Sequence, residues 1–410
     1  MKIRSITYFL DPGWPLDESK LGAAGEFLAR AKSAYEAAGY EVQTTRLATI
    51  PFPKLLNGVT NETPRLAEKM SGLLPQIGVA YASLGPALIE HPASYAAIPE
   101  AMLASENIFF GGEMASKEKG ISLAAVKACA QVIHKASAIT PDGFANLRFA
   151  ALANVKAGAP FFPAAYHAGD EPAFAVAVES ADLAVNAFSE GQTIESGRGA
   201  LVAEIEKHAQ TITRISNNEL SSTHFGGIDF SLAPFPDDAH SLGNAVEKMG
   251  VPKIGLHGSL AAAAILTEAV DRADFPHTGF SGFMQAVLED SILAKRAAEG
   301  TLTIKDALLY SAVCGTGLDT IPLPGDTSAE QIAPLLLDLC ALSLRLDKPL
   351  TARLMPVPGK KAGEATSFDF GFFANSKVMA LESEPLNFPL GGNENFTLQE
   401  KRSNPSTQLR

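Results

Sequence analysis

Short apolar runs alternate with longer alanine-rich stretches along almost the whole chain. Apolar runs of about four to eight residues are typical of strands, and apolar positions that recur every three or four residues are typical of helices. Their repeated succession predicts a mainly parallel sheet with helices packed on it. Because no linker of Ser, Gly or charge repeats divides this pattern, we predict one α/β domain over residues 1–385 and a tail over residues 386–410.

The individual elements follow from the same two periodicities. The predicted strands are residues 3–10, 41–50, 78–83, 108–110, 148–155, 227–232, 253–257, 310–313 and 351–355. The predicted helices are residues 21–38, 122–135, 172–190, 200–220, 242–249, 259–273, 284–299 and 327–346.

Five apolar runs end in two prolines that are separated by one or two apolar residues. Proline has no N–H for a central strand and keeps the residue before it extended, so we expect each of these elbows to end a strand. Loops that follow parallel strands carry the sites of many α/β proteins, and we expect several elbows to frame one cavity. The elbows are Pro51-Phe52-Pro53, Pro160-Phe161-Phe162-Pro163, Pro234-Phe235-Pro236, Pro322-Leu323-Pro324 and Pro356-Val357-Pro358.

The net charge of the chain indicates which classes of binding partner to expect. The chain has 33 Lys and Arg against 45 Asp and Glu, a formal net charge of −12, which argues against binding to nucleic acid or to an anionic membrane. We therefore expect a small-molecule ligand. Homo-oligomer formation is a hypothesis for so apolar a chain, although no heptad or apolar stripe marks an interface.

Cysteine content and apolar run length indicate the compartment. The three cysteines are far apart in apolar surroundings, which argues against a disulfide framework or a zinc knuckle. The first apolar run is broken at Asp11-Pro12 and is too short for a signal-peptide core, and no run reaches the roughly 18 apolar residues of a membrane span. We predict a cytoplasmic protein with reduced thiols.

Residues 311–327 are the segment richest in chemistry. Gly315 and Gly317 allow backbone amides to approach a ligand closely, and Asp319 and Asp326 can accept hydrogen bonds or bind a cation. Cys314 is either a small buried apolar residue or, if a base lies nearby, a nucleophile.

Residues 351–364 form a local basic cluster in an acidic protein. Arg353 lies inside a predicted strand and Lys360 on the glycine-flanked loop after it, and both suit a phosphate or carboxylate group. Neither this segment nor residues 311–327 has the spacing of a Walker loop or of a dinucleotide-binding loop, so no nucleotide motif is present.

Three histidines lie beside predicted strand ends, with glycine close by. His167 and His257 are candidates for proton transfer. His224 precedes Asp229 by five residues, and this pair is our hypothesis for a divalent metal site. No His-Glu-x-x-His motif supports the metal, and the role of Glu289 stays open.

Several of these motifs together resemble the DUF711 family, also called UPF0210. The resemblance covers most of residues 1–385. Its motifs are Lys2 to Thr7, Asn146-Leu147-Arg148-Phe149, Pro160 to His167, Gly227-Ile228-Asp229-Phe230-Ser231, Gly315 to Asp319 with Pro324-Gly325-Asp326, and Thr351-Ala352-Arg353 with Pro358-Gly359-Lys360.

The resemblance implies a fold but no established reaction. The implied fold is a ten-stranded α/β barrel like that of the glycyl-radical enzymes, with helices outside. Those enzymes carry an Arg-Val-x-Gly-aromatic signature near the C-terminus. The nearest segment here, residues 368–372, lacks the Arg-Val pair, which argues against radical chemistry with Cys314 as the thiyl residue.

Our leading hypothesis is an enzyme that acts on a small anionic metabolite inside the barrel by non-radical acid–base or nucleophilic chemistry. Arg353 and Lys360 would hold the anion, and His167 or His257 would move a proton. A metabolite-binding or regulatory protein without turnover is the alternative, and a structural role in an assembly is the third. The identity of any cofactor is left open. In the leading hypothesis, the carboxylates would orient substrate groups or hold a cation, namely Asp229, Asp319 and Asp326.

Overall fold

A computed structural model describes residues 1–169, 171–188 and 193–400. The strands are β1 (Lys2–Leu10), β2 (Val42–Thr49), β3 (Tyr81–Ala87), β4 (Ile108–Ser116), β5 (Gly120–Ser122), β6 (Phe149–Ala153), β7 (Ala173–Glu179), β8 (His224–Asp229), β9 (Gly317–Pro324), β10 (Leu350–Val357) and β11 (Asn395–Phe396). The helices are α1 (Glu18–Ala37), α2 (Phe52–Leu55), α3 (Thr63–Leu73), α4 (Ser94–Leu103), α5 (Leu123–Ala136), α6 (Ala181–Ala187), α7 (Ile194–Glu219), α8 (Leu242–Lys248), α9 (Ser259–Arg272), α10 (Ser291–Glu299), α11 (Ile304–Tyr310) and α12 (Ala329–Leu346).

One large sheet organises the chain, with strand order β8-β7-β1-β2-β3-β4-β6-β10-β9. Strands β1, β2, β3, β4 and β6 are parallel to one another. β7 is antiparallel to β1, and β10 is antiparallel to β6. Because β8 is parallel to β7 and β9 to β10, the two ends of the sheet run opposite to its centre.

The sheet is not closed, so the predicted ten-stranded barrel is not confirmed. The hydrogen-bonded ladder stops at β8 on one side and at β9 on the other. Residues 277–286 lie between these two edges, and they make one parallel bridge to each, Ile228 with His277 and Ala286 with Asp319. The fold is therefore a mixed α/β fold with a large central sheet and helices around it.

The main core lies between the sheet and its helices. Phe27 of α1, for example, packs its ring 5.2 Å from that of Tyr8 and 4.9 Å from that of Phe174. Two smaller apolar clusters lie apart from this core, around Phe161 and around Phe162. No helix in the described ranges is both long enough and apolar enough to cross a membrane.

Four predicted elements are wrong, each for a local reason. Residues 172–190 contain strand β7 before the short helix α6, because periodicity alone does not separate a buried Ala-Val strand from a helix. Residues 284–290 are not helical apart from one 3-10 turn, since all of them are buried across the gap between β8 and β9. Residues 253–257 form a turn, and residues 310–313 are the end of α11 and the turn after it.

Two of the proline elbows contain the ends of their strands instead of following them. β9 continues through Pro322 to Pro324, and β10 continues through Pro356. β9 is an edge strand, and the ladder between β10 and β6 has already ended at Ala352. Each strand thus has an unpaired side on which a missing N–H costs no ladder hydrogen bond.

Irregular pairing occurs where charged side chains lie in the strands. The register of β1 against β7 shifts between Ile3 and Ser5, so Arg4 has no partner in that ladder. The register of β9 against β10 also shifts, and Thr320 there has φ of 43° in the left-handed region. Such bulges redirect side chains and are frequent beside functional sites.

The Gly317→Ala substitution tests how closely β9 and β10 approach. A methyl group on Gly317 would lie 2.3 Å from the carbonyl oxygen of Thr351, at a backbone φ of 94°. We expect the free energy of unfolding to fall by about 3 kcal/mol, from strain at positive φ and from the clash. Gly359 is the matched control, because its φ is 73° but nothing lies within 4 Å of the added methyl. Equal losses for the two variants in urea denaturation would contradict this account.

Candidate functional site

The second proline elbow lies on the inner side of the sheet. Thr7 on β1 donates a hydrogen bond of 3.4 Å to the carbonyl of Pro160, and Ser83 on β3 donates one of 2.7 Å to that of Ala165. The amide of His167 then donates to the carbonyl of Thr49 at the end of β2. These bonds hold the buried rings of Phe161 and Phe162 against strands from the centre of the sheet.

Beside these rings lies a cavity of about 450 Å³, which we call the arginine pocket. Its walls come from β1, β2, β3, β4, β7 and β10, so the sheet curls around it. This volume is in the range of small-molecule sites. Seven of its lining residues are aromatic, namely Tyr81, Phe109, Phe144, Phe161, Phe162, Phe370 and Phe372, and its charged residues are Arg4, Arg46, Glu106, Arg148, Glu289 and Arg353.

A chain of buried ion pairs forms one wall of the pocket. Arg353 donates from Nε to Asp319 Oδ1 at 2.5 Å and from Nη2 to Asp319 Oδ2 at 2.9 Å. The same Nη2 lies 2.7 Å from Glu289 Oε1. The other carboxylate oxygen of Glu289 accepts a hydrogen bond from Arg4 Nη2. The two guanidinium groups and two carboxylates thus form one continuous, neutral network.

Arg46 differs from Arg4 and Arg353, because no carboxylate of the described residues lies within ion-pair distance of it. Arg148, the fourth arginine of the pocket, also has no ion pair there, but its Nη groups donate to the carbonyls of Ser105 and Met102 at 2.7 and 2.9 Å. Its Nε donates a hydrogen bond of 2.9 Å to Thr44 Oγ1. Its guanidinium lies 5.0 Å from the ring centre of Phe162 and 6.0 Å from that of Tyr81. Burial, together with the positive charges of Arg4 and Arg353, lowers the pKa of Arg46 to about 9. Both Nη groups remain available to an anion.

Two further polar atoms of the pocket have no partner among the described residues. They are Nη1 of Arg4 and Oγ of Ser5, and both are buried. Adjacent strand residues normally face opposite sides of a sheet, but the bulge at Arg4 turns both toward the pocket. Buried polar groups without partners are costly, which marks this wall as prepared for a ligand.

The two carboxylates of the network differ in pKa. Burial raises the pKa of Glu289, but the Arg4 and Arg353 guanidinium groups outweigh it and hold this pKa below its usual value. Burial raises the pKa of Asp319, an effect that Arg353 opposes and Glu289 reinforces. Neighbouring acids whose pKa values are pushed in opposite directions are common in active sites.

Aromatic residues of the C-terminal segment lie at the mouth of the pocket. Residues 364–378 fold back on themselves, with the amide of Thr366 bonded to the carbonyl of Ser376 at 2.9 Å. The amide of Ala374 donates to the carbonyl of Leu288 at 2.7 Å, which fixes this segment beside Glu289. Phe370 and Phe372 from its tip line the pocket and reduce the access of water.

Asp319 and Arg353 are the sequence-predicted residues that the fold brings together, in the network described above. Cys314 is buried, and its Sγ lies 3.8 Å from Nε2 of Gln285, but it does not line the pocket. Gly315 and Gly317 lie where backbone segments pack closely: a methyl on Gly315 would be 2.5 Å from the carbonyl oxygen of Phe280. Packing therefore explains both glycines.

The remaining predicted residues do not converge on the pocket. The carbonyl of Lys360 accepts a hydrogen bond from Gly325, which brings its loop close to exposed Asp326. Lys360 comes seven residues after Arg353, beyond the end of β10. His167 is buried at the opposite end of the sheet, beyond β2, and His257 is exposed in the turn before α9.

The structure separates the two residues of the metal hypothesis. His224 is exposed at the start of β8, and Asp229 is buried at its end, roughly 16 Å along the strand. Asp229 accepts hydrogen bonds from the amides of Phe280 and Ser281 at 2.9 and 3.0 Å and from Ser231 Oγ at 2.6 Å. Within the described ranges, no three His, Cys, Asp or Glu side chains are grouped so that they could hold a metal ion.

Arg4, Arg46 and Glu289 are the pocket residues that sequence reasoning did not assign. Arg4 and Arg46 share the signal that identified Arg353, an arginine within an otherwise apolar or Thr-rich strand. Glu289 gives no such signal, because it meets Arg4 across 285 positions of sequence.

A second cavity, of about 490 Å³, lies outside the sheet between α10, α11, α12 and residues 377–383. Its exposed Lys305 and Glu382 pair with each other, and Glu299 pairs with Lys253 and Arg296. Lys377 also lines this cavity without an ion pair in the described residues, but it is exposed to water. Since the remaining cations are paired, the arginine pocket is the stronger candidate for an anion site.

The sequence of this chain is similar to those of known proteins, and one family model spans the whole pocket. The family model described as uncharacterised ACR (DUF711) matches residues 1–376, which include every residue that lines the pocket. A UPF0210 protein of Pyrobaculum aerophilum is 33% identical over 345 residues, 80% of this chain and 76% of that protein. A UPF0210 protein of Methanocaldococcus jannaschii is 28% identical over 396 residues, 89% of this chain and 86% of that protein.

Replacing Arg353 tests the ion-pair network. Arg353→Met leaves Asp319 buried without its cation, and we expect a loss of about 3–5 kcal/mol in the free energy of unfolding. In Arg353→Met/Asp319→Leu the unpaired charge is gone, so part of the loss should be recovered. Arg65→Met is the control, because Arg65 pairs with Glu62 on the surface and should cost less than about 1 kcal/mol. If Arg353→Met costs no more than the control in urea denaturation, the network does not stabilise the fold.

Replacing Asp229 tests whether this residue has a structural role or binds a metal. Asp229→Ala removes the acceptor of three hydrogen bonds, and we expect a loss of about 3 kcal/mol. Exposed Asp326→Ala should change stability by less than about 0.5 kcal/mol. A chelator should not lower the unfolding midpoint of the wild type. A midpoint that falls with the chelator in the wild type but not in Asp229→Ala would favour the metal hypothesis instead.

Proposed function

We propose a function for this chain, which belongs to the uncharacterised DUF711 family, also called UPF0210, as its motifs predicted. It is an enzyme that binds a small anionic metabolite in the arginine pocket and acts on it by acid–base chemistry. The observation that carries the proposal is Arg46, a cation that lines the pocket without a carboxylate partner among the described residues.

Anion binding follows from the charges and donors of the pocket. The Arg4, Glu289, Arg353 and Asp319 network is neutral as a unit, so the charge of Arg46 is left uncompensated. The unpartnered Nη1 of Arg4 adds a buried donor. Aromatic walls lower the local dielectric constant, and this strengthens the attraction between a guanidinium and an anion.

Proton transfer is supported by two groups that line the pocket. Glu289 is an ionised carboxylate at neutral pH, because its pKa is below the usual value. The Tyr81 side chain lies beside Arg46, and its hydroxyl makes no hydrogen bond within the described part of the chain. Tyr81 is thus placed to exchange a proton with a bound ligand.

The surroundings of the pocket agree with a barrel-like arrangement. In this proposal residues 277–286 act as a tenth member of the sheet, which is supported by their single parallel bridges to β8 and β9. They carry Met284, which lines the pocket, and lead to Glu289. Aromatic walls of this kind suit chemistry that benefits from reduced access of water.

A non-catalytic metabolite-binding or regulatory protein is the second candidate. Both carboxylate oxygens of Glu289 already accept hydrogen bonds, one from Arg353 and the other from Arg4. A carboxylate held in this way is a weak base. The geometry would then fix the guanidinium groups for binding alone.

An experiment with a protein-free metabolite extract distinguishes the enzyme from the non-catalytic binding protein. The extract is incubated with the wild type, Arg46→Gln, Tyr81→Phe and exposed Arg214→Gln, and retained and consumed compounds are followed by mass spectrometry. We expect the wild type and Arg214→Gln to consume an anionic compound. Arg46→Gln should neither retain nor consume it, and Tyr81→Phe should retain it with turnover reduced about 100-fold or more.

Other outcomes of this experiment decide against the proposal. An anion that the wild type retains but does not convert would favour the binding protein. No retained anion, or retention that Arg46→Gln leaves unchanged, would overturn the assignment of the arginine pocket.

A further inference from the structure

The charge of the arginine pocket limits the charge of its ligand. Arg4 and Arg353 are matched by Glu289 and Asp319, and Arg148 by the charge of Glu106 near it, which leaves one positive charge, that of Arg46. Glu179 lies near Arg4 but does not line the pocket, and it accepts a hydrogen bond of 2.8 Å from Gln43. One carboxylate would neutralise the pocket. A phosphate monoester, with about −1.5 to −2 charges at neutral pH, would leave excess negative charge against the aromatic walls.

The orientation of Arg46 also favours a carboxylate. The bond from its Nε to Thr44 Oγ1 holds the guanidinium plane, and neither Nη group makes a hydrogen bond within the described part of the chain. Two parallel N–H donors match the two oxygens of a carboxylate, which is the bidentate geometry that arginine commonly adopts. Phe162 lies 5.0 Å from the guanidinium and fixes it further.

The walls next to Arg46 are apolar and aromatic, with neighbouring rings packed edge to face. The ring centres of Tyr81 and Phe109 are 5.4 Å apart, as are those of Phe109 and Phe162. Phe161 lies on the other side, with the guanidinium of Arg353 5.8 Å from its ring centre. A ligand that placed only a carboxylate at Arg46 would leave these rings and the remainder of the 450 Å³ cavity in contact with water. A planar apolar body would cover them.

We propose that the ligand of the arginine pocket is a monocarboxylate with a flat, apolar body, with Arg46 holding the carboxylate and the Tyr81, Phe109, Phe161 and Phe162 rings holding the body. This inference rests on the proposed function, because it assigns the class of anion that the pocket accepts. It also assigns selectivity: aromatic carboxylates bind better than short carboxylates and better than phosphate esters of similar shape.

Calorimetric titration of the full chain with matched probes tests this selectivity. The aromatic carboxylates are phenylacetate, 3-phenylpropanoate and indole-3-acetate. The other probes each change one feature. Acetate lacks the ring, phenylacetamide lacks the charge, and phenyl phosphate and inorganic phosphate carry a phosphate group instead of a carboxylate. We expect at least one aromatic carboxylate to bind about tenfold or more tightly than acetate, phenylacetamide or either phosphate probe, a difference of about 1.4 kcal/mol.

Variants locate the binding and show which part of the ligand each residue holds. Arg46→Gln should weaken binding of the aromatic carboxylate about tenfold or more. Arg46→Lys keeps the charge but loses the two parallel N–H donors, so its affinity should lie between those of the wild type and Arg46→Gln. Phe109→Ala should weaken the aromatic carboxylate and leave acetate unchanged, because Phe109 lines the pocket without stacking on Arg46. Arg214→Gln is the control and should match the wild type. Circular dichroism of each variant confirms that it is folded.

The outcomes separate this inference from the function on which it rests. If phenyl phosphate binds more tightly than every carboxylate and depends on Arg46, the carboxylate assignment is wrong but the anion pocket stands. If acetate binds as tightly as the aromatic acids, the flat body is wrong. If no probe binds the wild type, or if binding does not change in Arg46→Gln, this inference and the assignment of the arginine pocket both fail.

Discussion

The ion pairs between Arg4, Glu289, Arg353 and Asp319 join parts of the chain that the sheet does not pair. Arg4 on β1 and Arg353 on β10 are separated by four strands in the order of the sheet. Glu289 bridges them from the segment that follows the gap between β8 and β9. Charges that leave water must be paired, so this network requires the sheet to curl until its distant strands meet. The pocket exists because of this curl.

Arg46 lies beside that network but does not take part in it. A half-buried cation without a carboxylate partner lowers stability, as the depressed pKa of Arg46 indicates. Proteins generally retain such groups where function depends on them. The same reasoning extends to Nη1 of Arg4 and Oγ of Ser5, two buried polar atoms without partners that face the pocket. These destabilising groups all lie in one wall of the pocket. Glu289 and Asp319, two carboxylates that could have paired with Arg46, are instead bound to Arg4 and Arg353.

The sequence predicts the regular parts of this fold well and its irregular parts poorly. Strand β1 and helix α12 were predicted within a few residues, because each has a clear period and a clear end. Residues 284–290 were wrongly assigned to a helix. Their structure depends on burial between the two edges of the sheet, and no local sequence pattern encodes that burial. Arg353 was identified as an arginine inside an apolar strand, and Arg46 has the same context but was not considered. Glu289 could not be assigned, since its partners lie far away in sequence.

The direction of the strands explains why the predicted histidines and the pocket lie at different ends. Ligand sites in parallel sheets lie beyond the carboxyl ends of the strands. In this sheet the five central strands run opposite to β7, β8, β9 and β10, so carboxyl ends occur on both sides. The rule led to His167, beyond the end of β2, whereas the arginine pocket opens where β7 ends and the central strands begin. Which side carries the site was decided by buried charge, since only there do Arg4, Arg46 and Arg353 meet.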